Sequence, residues 1–196
     1  MRLVRYGDAG KEKPGVLDAQ GAIRDLSGAV KDIDGGALSP AGLAKLRGLD
    51  IDGLPKISGS PRLGPPVNNV SKLVAIGLNY ADHAKESNLP IPAEPVVFMK
   101  AVSSIVGPND TVVLPKGSKK GDWEVELAFV IGKEAKGVSE ADALNHIAGY
   151  LICNDVSERE WQLERGPTWD KGKGFDTFAP LGPWVVTADE IRDPQN

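Results

Sequence analysis

Two glutamates spaced two residues apart offer the clearest chemistry in this chain. In Asp122-Trp123-Glu124-Val125-Glu126-Leu127-Ala128-Phe129-Val130-Ile131-Gly132, strict alternation puts Val125, Leu127, Phe129 and Ile131 on one face of a strand and Glu124, Glu126, Ala128 and Val130 on the other. At a rise of about 3.3 Å per residue, side chains two positions apart start roughly 7 Å apart, so two long Glu side chains can converge on one ion. A half-exposed strand with a solvated Glu-x-Glu face is the alternative. Ala128 and Val130 weigh against it, because they imply that the Glu face is buried at one end, where unpaired carboxylates are costly. A third carboxylate, Asp155, follows the apolar run Gly149-Tyr150-Leu151-Ile152-Cys153-Asn154. An Asp at a strand end is also a routine turn former. Together the three suit a hard divalent cation, Mg²⁺, Mn²⁺ or Ca²⁺, with water or substrate completing the shell.

His83 and Glu86 stand at i and i+3 in Ala81-Asp82-His83-Ala84-Lys85-Glu86, on one face of a helix about one turn apart. A His oriented by a carboxylate is the minimal machinery for taking a proton from water, since imidazole titrates near pH 6.5. A surface His beside a solvated Glu is the other reading of the pair. His146, the second histidine, lies in a capped amphipathic helix opening at Ser139 and reads as structural. Lys171 and Lys173 alternate with glycines in Trp169-Asp170-Lys171-Gly172-Lys173-Gly174-Phe175-Asp176-Thr177-Phe178. This is either a flexible basic loop or a Lys reaching a negatively charged substrate or developing enolate.

The elements that must position these groups follow from pattern. Residues 2–6 read as a strand, residues 15–17 and 22–26 as a hairpin around Asp18-Ala19-Gln20-Gly21, and Ser39-Pro40 as the start of a helix through Leu43 to Leu46. Residues 60–72, with Pro61, Gly64, Pro65, Pro66 and Asn68-Asn69, read as a linker. Leu73-Val74-Ala75-Ile76 predicts a buried strand, and Asn79 the cap of the His83 helix. Residues 95–100 and 111–115 predict two more strands, and Ser157 with Glu160 a capping box for a helix after Asp155. The expected division is a small β-rich unit over 1–60, a linker over 61–72 and a second domain over 73–196.

With 196 residues, 41% hydrophobic and 26% charged, the chain can bury a core in one or two domains. No apolar run approaches the length of a bilayer span, and Met1-Arg2-Leu3-Val4-Arg5-Tyr6-Gly7-Asp8 lacks the apolar core of a signal peptide. A cytoplasmic protein is expected. The single cysteine, Cys153, excludes an intrachain disulfide and a thiolate cluster, so any metal would take oxygen or imidazole ligands. A net charge of -4 gives no general attraction for phosphate backbones. The 23 glycines and 15 prolines indicate many turns and a strand-rich or mixed fold.

Read together, Gly77-Leu78-Asn79-Tyr80-Ala81-Asp82-His83, Gly107-Pro108-Asn109-Asp110, Asp122-Trp123-Glu124-Val125-Glu126-Leu127, Asn154-Asp155-Val156-Ser157-Glu158-Arg159 and Lys171-Gly172-Lys173-Gly174-Phe175-Asp176-Thr177-Phe178 strongly resemble the fumarylacetoacetate hydrolase family. The five motifs occur in the family's order and span about residues 73 to 184. Residues 1–60 are similar to the small leading domain of bacterial members, and the nearest likeness is to their 2,4-diketo-3-deoxy-sugar-acid hydrolases, often labelled ureidoglycolate lyases. The resemblance implies a mixed, β-rich rolled sheet with short helices, a Mg²⁺ or Mn²⁺ ion, a homodimer, and 2-oxo or 1,3-dioxo acid substrates. It also implies roles by motif: Glu124, Glu126 and Asp155 as metal ligands, His83 and Glu86 as the water-activating dyad, Lys173 as the active-site lysine, and Arg159 and Gln162 as substrate-positioning residues. The sequence departs from the family in two places. Thr168 precedes Trp169 where many members carry Gln, and the chain stops at Asp193-Pro194-Gln195-Asn196 where similar proteins continue with more strands, so a catalytic domain incomplete at its C-terminus is expected.

The reaction this implies is hydrolysis of a C–C bond through an enolate, with isomerase, decarboxylase or ureidoglycolate lyase chemistry as alternatives on the same scaffold. From another class, the chain is alternatively a non-catalytic small-acid binding or dimer partner.

Overall fold

The computed structural model describes residues 1–195. Its main sheet runs β3 (Ile23–Asp25), β2 (Lys13–Leu17), β1 (Arg2–Tyr6), β11 (Ala179–Thr187), β9 (Ile147–Asn154) and β8 (Val125–Ile131), with β6 (Ile105–Val106) parallel to β11 as a seventh strand among the described residues. The pairings along this path are antiparallel. Two-stranded ribbons, β4 (Leu73–Gly77) with β5 (Val96–Lys100) and β7 (Gly121–Asp122) with β10 (Ser157–Glu158), flank it. The helices are short: α1 (Pro40–Arg47), α2 (Ala81–Glu86), α3 (Glu140–Ala143) and α4 (Asp170–Lys173). No described helix is long and apolar enough to cross a membrane.

Several local expectations hold for the expected reasons. Ser39 caps α1 by accepting the Gly42 N–H at 3.1 Å, with Pro40 as the first helical residue. The Asp18 carboxylate closes the β2–β3 turn by accepting the Gln20 and Ala22 N–H groups at 3.0 and 2.8 Å and the Arg24 Nε–H at 2.8 Å. His146 is buried in the turn after α3, with Nδ1 3.3 Å from the Lys133 carbonyl.

Other expectations are corrected. Residues 61–72 are not a free linker. Gly64 donates its N–H to Arg5, Gly7 donates to Arg62, and Arg5 is bidentate on Asp32, which also accepts from Asn68. The sheet and one apolar core, containing Leu3, Val16, Leu43 and Leu46 together with Leu151, Ala179 and Val185, run straight through the expected 60/73 boundary. The segment Leu73–Ile76 is a strand but not a buried one, because its ribbon leaves Val74 51% exposed. Residues 111–115 form no strand, and Val113 instead donates its N–H to Thr177 Oγ1. The cap of α2 is Tyr80 rather than Asn79, since Leu78 turns through a positive φ of 51° and delays the helix start. Ser157 does not open a capping box. It lies in β10 with its hydroxyl on the Asp155 carbonyl, and Glu158 takes the Trp161 N–H of the following π-helix, Glu160–Glu164.

Strand β8 follows the predicted alternation in an instructive sense. Ala128 and Val130 pack on the core, so the face carrying the glutamates is the inward one. Val125, Leu127, Phe129 and Ile131 point out and are exposed.

Candidate active site

The three carboxylates come together because β8 and β9 are antiparallel neighbours. Glu126 pairs with Cys153, Val125 with Asn154, and Asp155 donates its N–H to the Glu124 carbonyl at 2.9 Å. Glu124 and Glu126 thus share a face with Asp155, two residues past Cys153. Burial, then the neighbouring Glu124 and Asp155, push the Glu126 carboxyl up to about 7 despite Lys173 and a hydrogen bond with Tyr80. Each carboxylate therefore lies in the field of the others.

Cations hold this cluster. Lys173 Nζ is 2.5 Å from Glu124 Oε2 and 2.7 Å from Asp155 Oδ2. Arg159 reaches Glu124 Oε1 at 2.5 Å, Asp122 Oδ2 at 2.8 Å and Gln162 Oε1 at 3.0 Å. Lys173 is therefore not in a flexible loop. It is buried in α4, whose Gly172 fits so closely that an added Cβ would lie 2.5 Å from the Glu158 carbonyl oxygen. Lys171 stays at the surface on the Arg165 carbonyl.

One cavity of about 830 Å³ gathers His83, Glu86, Glu124, Glu126, Asp155, Arg159, Gln162 and Lys173, the residues to which the family resemblance assigns roles. His83 is half-buried and Glu86 exposed, both delivered by α2. Ile76, Leu89, Trp123, Leu163 and Trp169 supply apolar walls. A second cavity of about 600 Å³, between the β2–β3 turn and residues 56–63, has Lys56 as its single ionisable lining residue and gathers no reactive groups.

The donor set fits a hard cation by type: three carboxylates on one wall. As the side chains stand, the described residues hold no three acidic, His or Cys groups drawn tightly enough to share an ion. The Lys173 ammonium sits between Glu124 and Asp155 and supplies the balancing positive charge.

Sequence reading missed Lys100, Tyr80 and Glu158. Lys100 is buried and bonds Asp155 Oδ1 at 2.6 Å. Its signal was the alternation of Val96, Phe98 and Lys100 on one strand face, an inward lysine on an apolar strand. Tyr80 accepts the Leu127 N–H and meets Glu126. Glu158, fully buried, accepts N–H groups from Lys119, Lys120 and Trp161.

Comparisons with known proteins show the family and the fold. The family model described as fumarylacetoacetate (FAA) hydrolase, C-terminal, matches residues 72–196. A Burkholderia cenocepacia relative with the provisional name hydrolase is 63% identical over 195 residues, which cover 100% of this chain and 69% of the relative. Fumarylacetoacetate hydrolase from the psychrophile Exiguobacterium antarcticum superposes with a TM-score of 0.80 at 32% identity, over 99% of this chain and 69% of that one. Maleylpyruvate hydrolase from Sphingobium sp. SYK-6, solved with manganese(II) and pyruvate, superposes with a TM-score of 0.78 at 29% identity, over 99% and 70%. The chain belongs to the fumarylacetoacetate hydrolase family.

Proposed function

We propose that this cavity hydrolyses a C–C bond in a 2-oxo or 1,3-dioxo acid of the acylpyruvate or diketo-sugar-acid type. The observation that carries the reading is the single cavity shared by the carboxylates, the His83–Glu86 pair and Lys173. Glu124, Glu126 and Asp155 would hold Mg²⁺ or Mn²⁺, which when bound supplies a Lewis acid for the substrate's 2-oxo carbonyl. Arg159, whose Nη1 donates to Gln162 at 3.0 Å while Nη2 holds Asp122 and Glu124, supplies positive charge for the substrate carboxylate. His83, with Glu86 one turn on, takes a proton from water for attack on the distal carbonyl. The electrons of the broken C–C bond pass to the pyruvate-like fragment as an enolate, whose oxygen the Lys173 ammonium stabilises as charge develops, and the proton taken from water returns to the enolate carbon, freeing pyruvate and neutral His83. Trp123, Leu163 and Trp169 line the cavity and offer apolar surface to the departing acyl group.

The test pairs pyruvate release from an acylpyruvate with Mn²⁺ calorimetry. His83→Ala should lower the rate on the order of 10²- to 10⁴-fold and leave Mn²⁺ affinity unchanged, whereas Glu126→Gln should weaken Mn²⁺ uptake. A parent protein that binds Mn²⁺ and the acid without releasing pyruvate would favour the small-acid binder instead. Tautomerised rather than cleaved product would make it an isomerase. A homodimer belongs to the same reading, supported by the outward apolar face of β8, where Val125 is 65% exposed. Light scattering that finds only monomer would remove that part.

A further inference from the structure

Asp155 is held by two lysines that differ in their freedom. Lys100 Nζ donates to Asp155 Oδ1 at 2.6 Å, to the Val156 carbonyl at 3.1 Å and to the Lys173 carbonyl at 2.5 Å. An ammonium has three N–H donors, so this one is saturated. Two of its acceptors are backbone, one just beyond β9 and one in α4, and the side chain is buried among them. Lys173 Nζ touches only side chains: Glu124 Oε2, Asp155 Oδ2 and, at 5.3 Å, the face of Phe98. Lys173 can therefore turn toward a substrate oxygen by rotating its own torsions. Lys100 cannot move without breaking bonds to two elements.

We infer that Lys100 is a positioning residue that commits Asp155 Oδ1 to the protein, leaves Oδ2 as the one oxygen Asp155 presents to the cavity, and so biases the site toward small octahedral cations over Ca²⁺. The inference rests on the metal reading above. Its physical basis is coordination number: Ca²⁺ takes six to eight oxygens and readily uses both oxygens of a carboxylate, while Mg²⁺ holds to six near-ideal positions. An aspartate with one oxygen saturated by an immobile ammonium satisfies the second demand better than the first.

The test measures Mn²⁺ and Ca²⁺ binding separately by calorimetry in the parent and in Lys100→Met. Losing the Lys100 charge acts alike on two divalent ions, so the ratio of their affinities isolates the effect of releasing Oδ1. Supporting groups around metal sites typically alter affinity about 10–100-fold, and the preference for Mn²⁺ over Ca²⁺ should fall by about tenfold. An unchanged ratio in a folded variant overturns the inference. Should Lys100→Met fail to fold, a crystal of the parent soaked in Mn²⁺ decides: Oδ1 still on Lys100 Nζ and Oδ2 on the ion supports it, and Oδ1 on the ion overturns it. A parent that binds neither ion overturns the metal reading and this inference with it. An unchanged ratio in a metal-binding parent overturns this inference alone.

Discussion

The Trp169 indole lies directly on Gly77: a Cβ added at Gly77 would come within 2.1 Å of Trp169 Cζ3. Both residues line the cavity, and Trp169 also packs edge-on against Phe98 with centroids 5.5 Å apart. The glycine at the end of β4 is thus needed for close approach, which lets the indole form a wall.

Gly77→Ala should therefore displace Trp169 and destabilise the fold by about 1–3 kcal/mol, the usual cost of overpacking. Urea unfolding followed by tryptophan fluorescence reads the stability, and a shifted native emission maximum reads the displaced ring. An unchanged spectrum would show that the indole is not confined by this contact.

Lys173→Met removes the ammonium shared by Glu124 and Asp155. Lys100 still holds Asp155 and Arg159 still holds Glu124, so the metal-free protein should lose about 1.5–3 kcal/mol, the worth of a hydrogen bond to a charged group. On the metal reading proposed above, added Mn²⁺ should restore part of that loss by binding the folded chain in preference to the unfolded one. Thermal unfolding with and without Mn²⁺ measures both.

Asp110 gives a pH dependence outside the cavity. The Arg62 guanidinium, bidentate on it at 2.7 and 2.5 Å, holds its carboxyl below the usual carboxylate range, with the Gly107 N–H assisting. A depressed folded pKa contributes stability that is present above the unfolded value, near 4, and lost as pH falls through the folded value. Asp110→Asn should therefore be less stable than the parent at pH 7, and the gap should close as pH drops below about 4. Urea midpoints across pH 2–7 check the sign.

Glu158→Gln tests a buried carboxylate that serves the scaffold. Burial pushes its carboxyl up, but N–H groups from Lys120, Trp161 and Lys119 and the Ser118 hydroxyl outweigh it and hold the carboxyl low. An amide presents one acceptor oxygen in place of two and adds an NH₂ facing donors, so about 1–3 kcal/mol of stability should be lost. Loosening of residues 118–120 against the π-helix should appear as faster amide exchange at Lys120 and Trp161.

The division of labour between sequence and tertiary structure follows the range of the forces involved. Alternation along residues 124–131 determined that Glu124 and Glu126 share a face, and Ala128 and Val130 determined that this face turns inward. The i, i+3 spacing determined that His83 and Glu86 travel together, and Ser39-Pro40 determined where α1 begins. These are consequences of backbone geometry within a few residues. The Gly107–Asp110 motif, by contrast, proved to be a lock on Arg62, a partner 48 positions earlier in the chain. Only the assembled sheet decided that residues 1–60 share their core with β9 and β11, because antiparallel pairing of β1 with β11 joins segments far apart in sequence. Only the assembled site decided that Lys100, 55 positions from Asp155, saturates one of its oxygens while Lys173 holds the other. A buried charge selects its partner by distance in space and not along the chain, so that pairing lies beyond any local pattern.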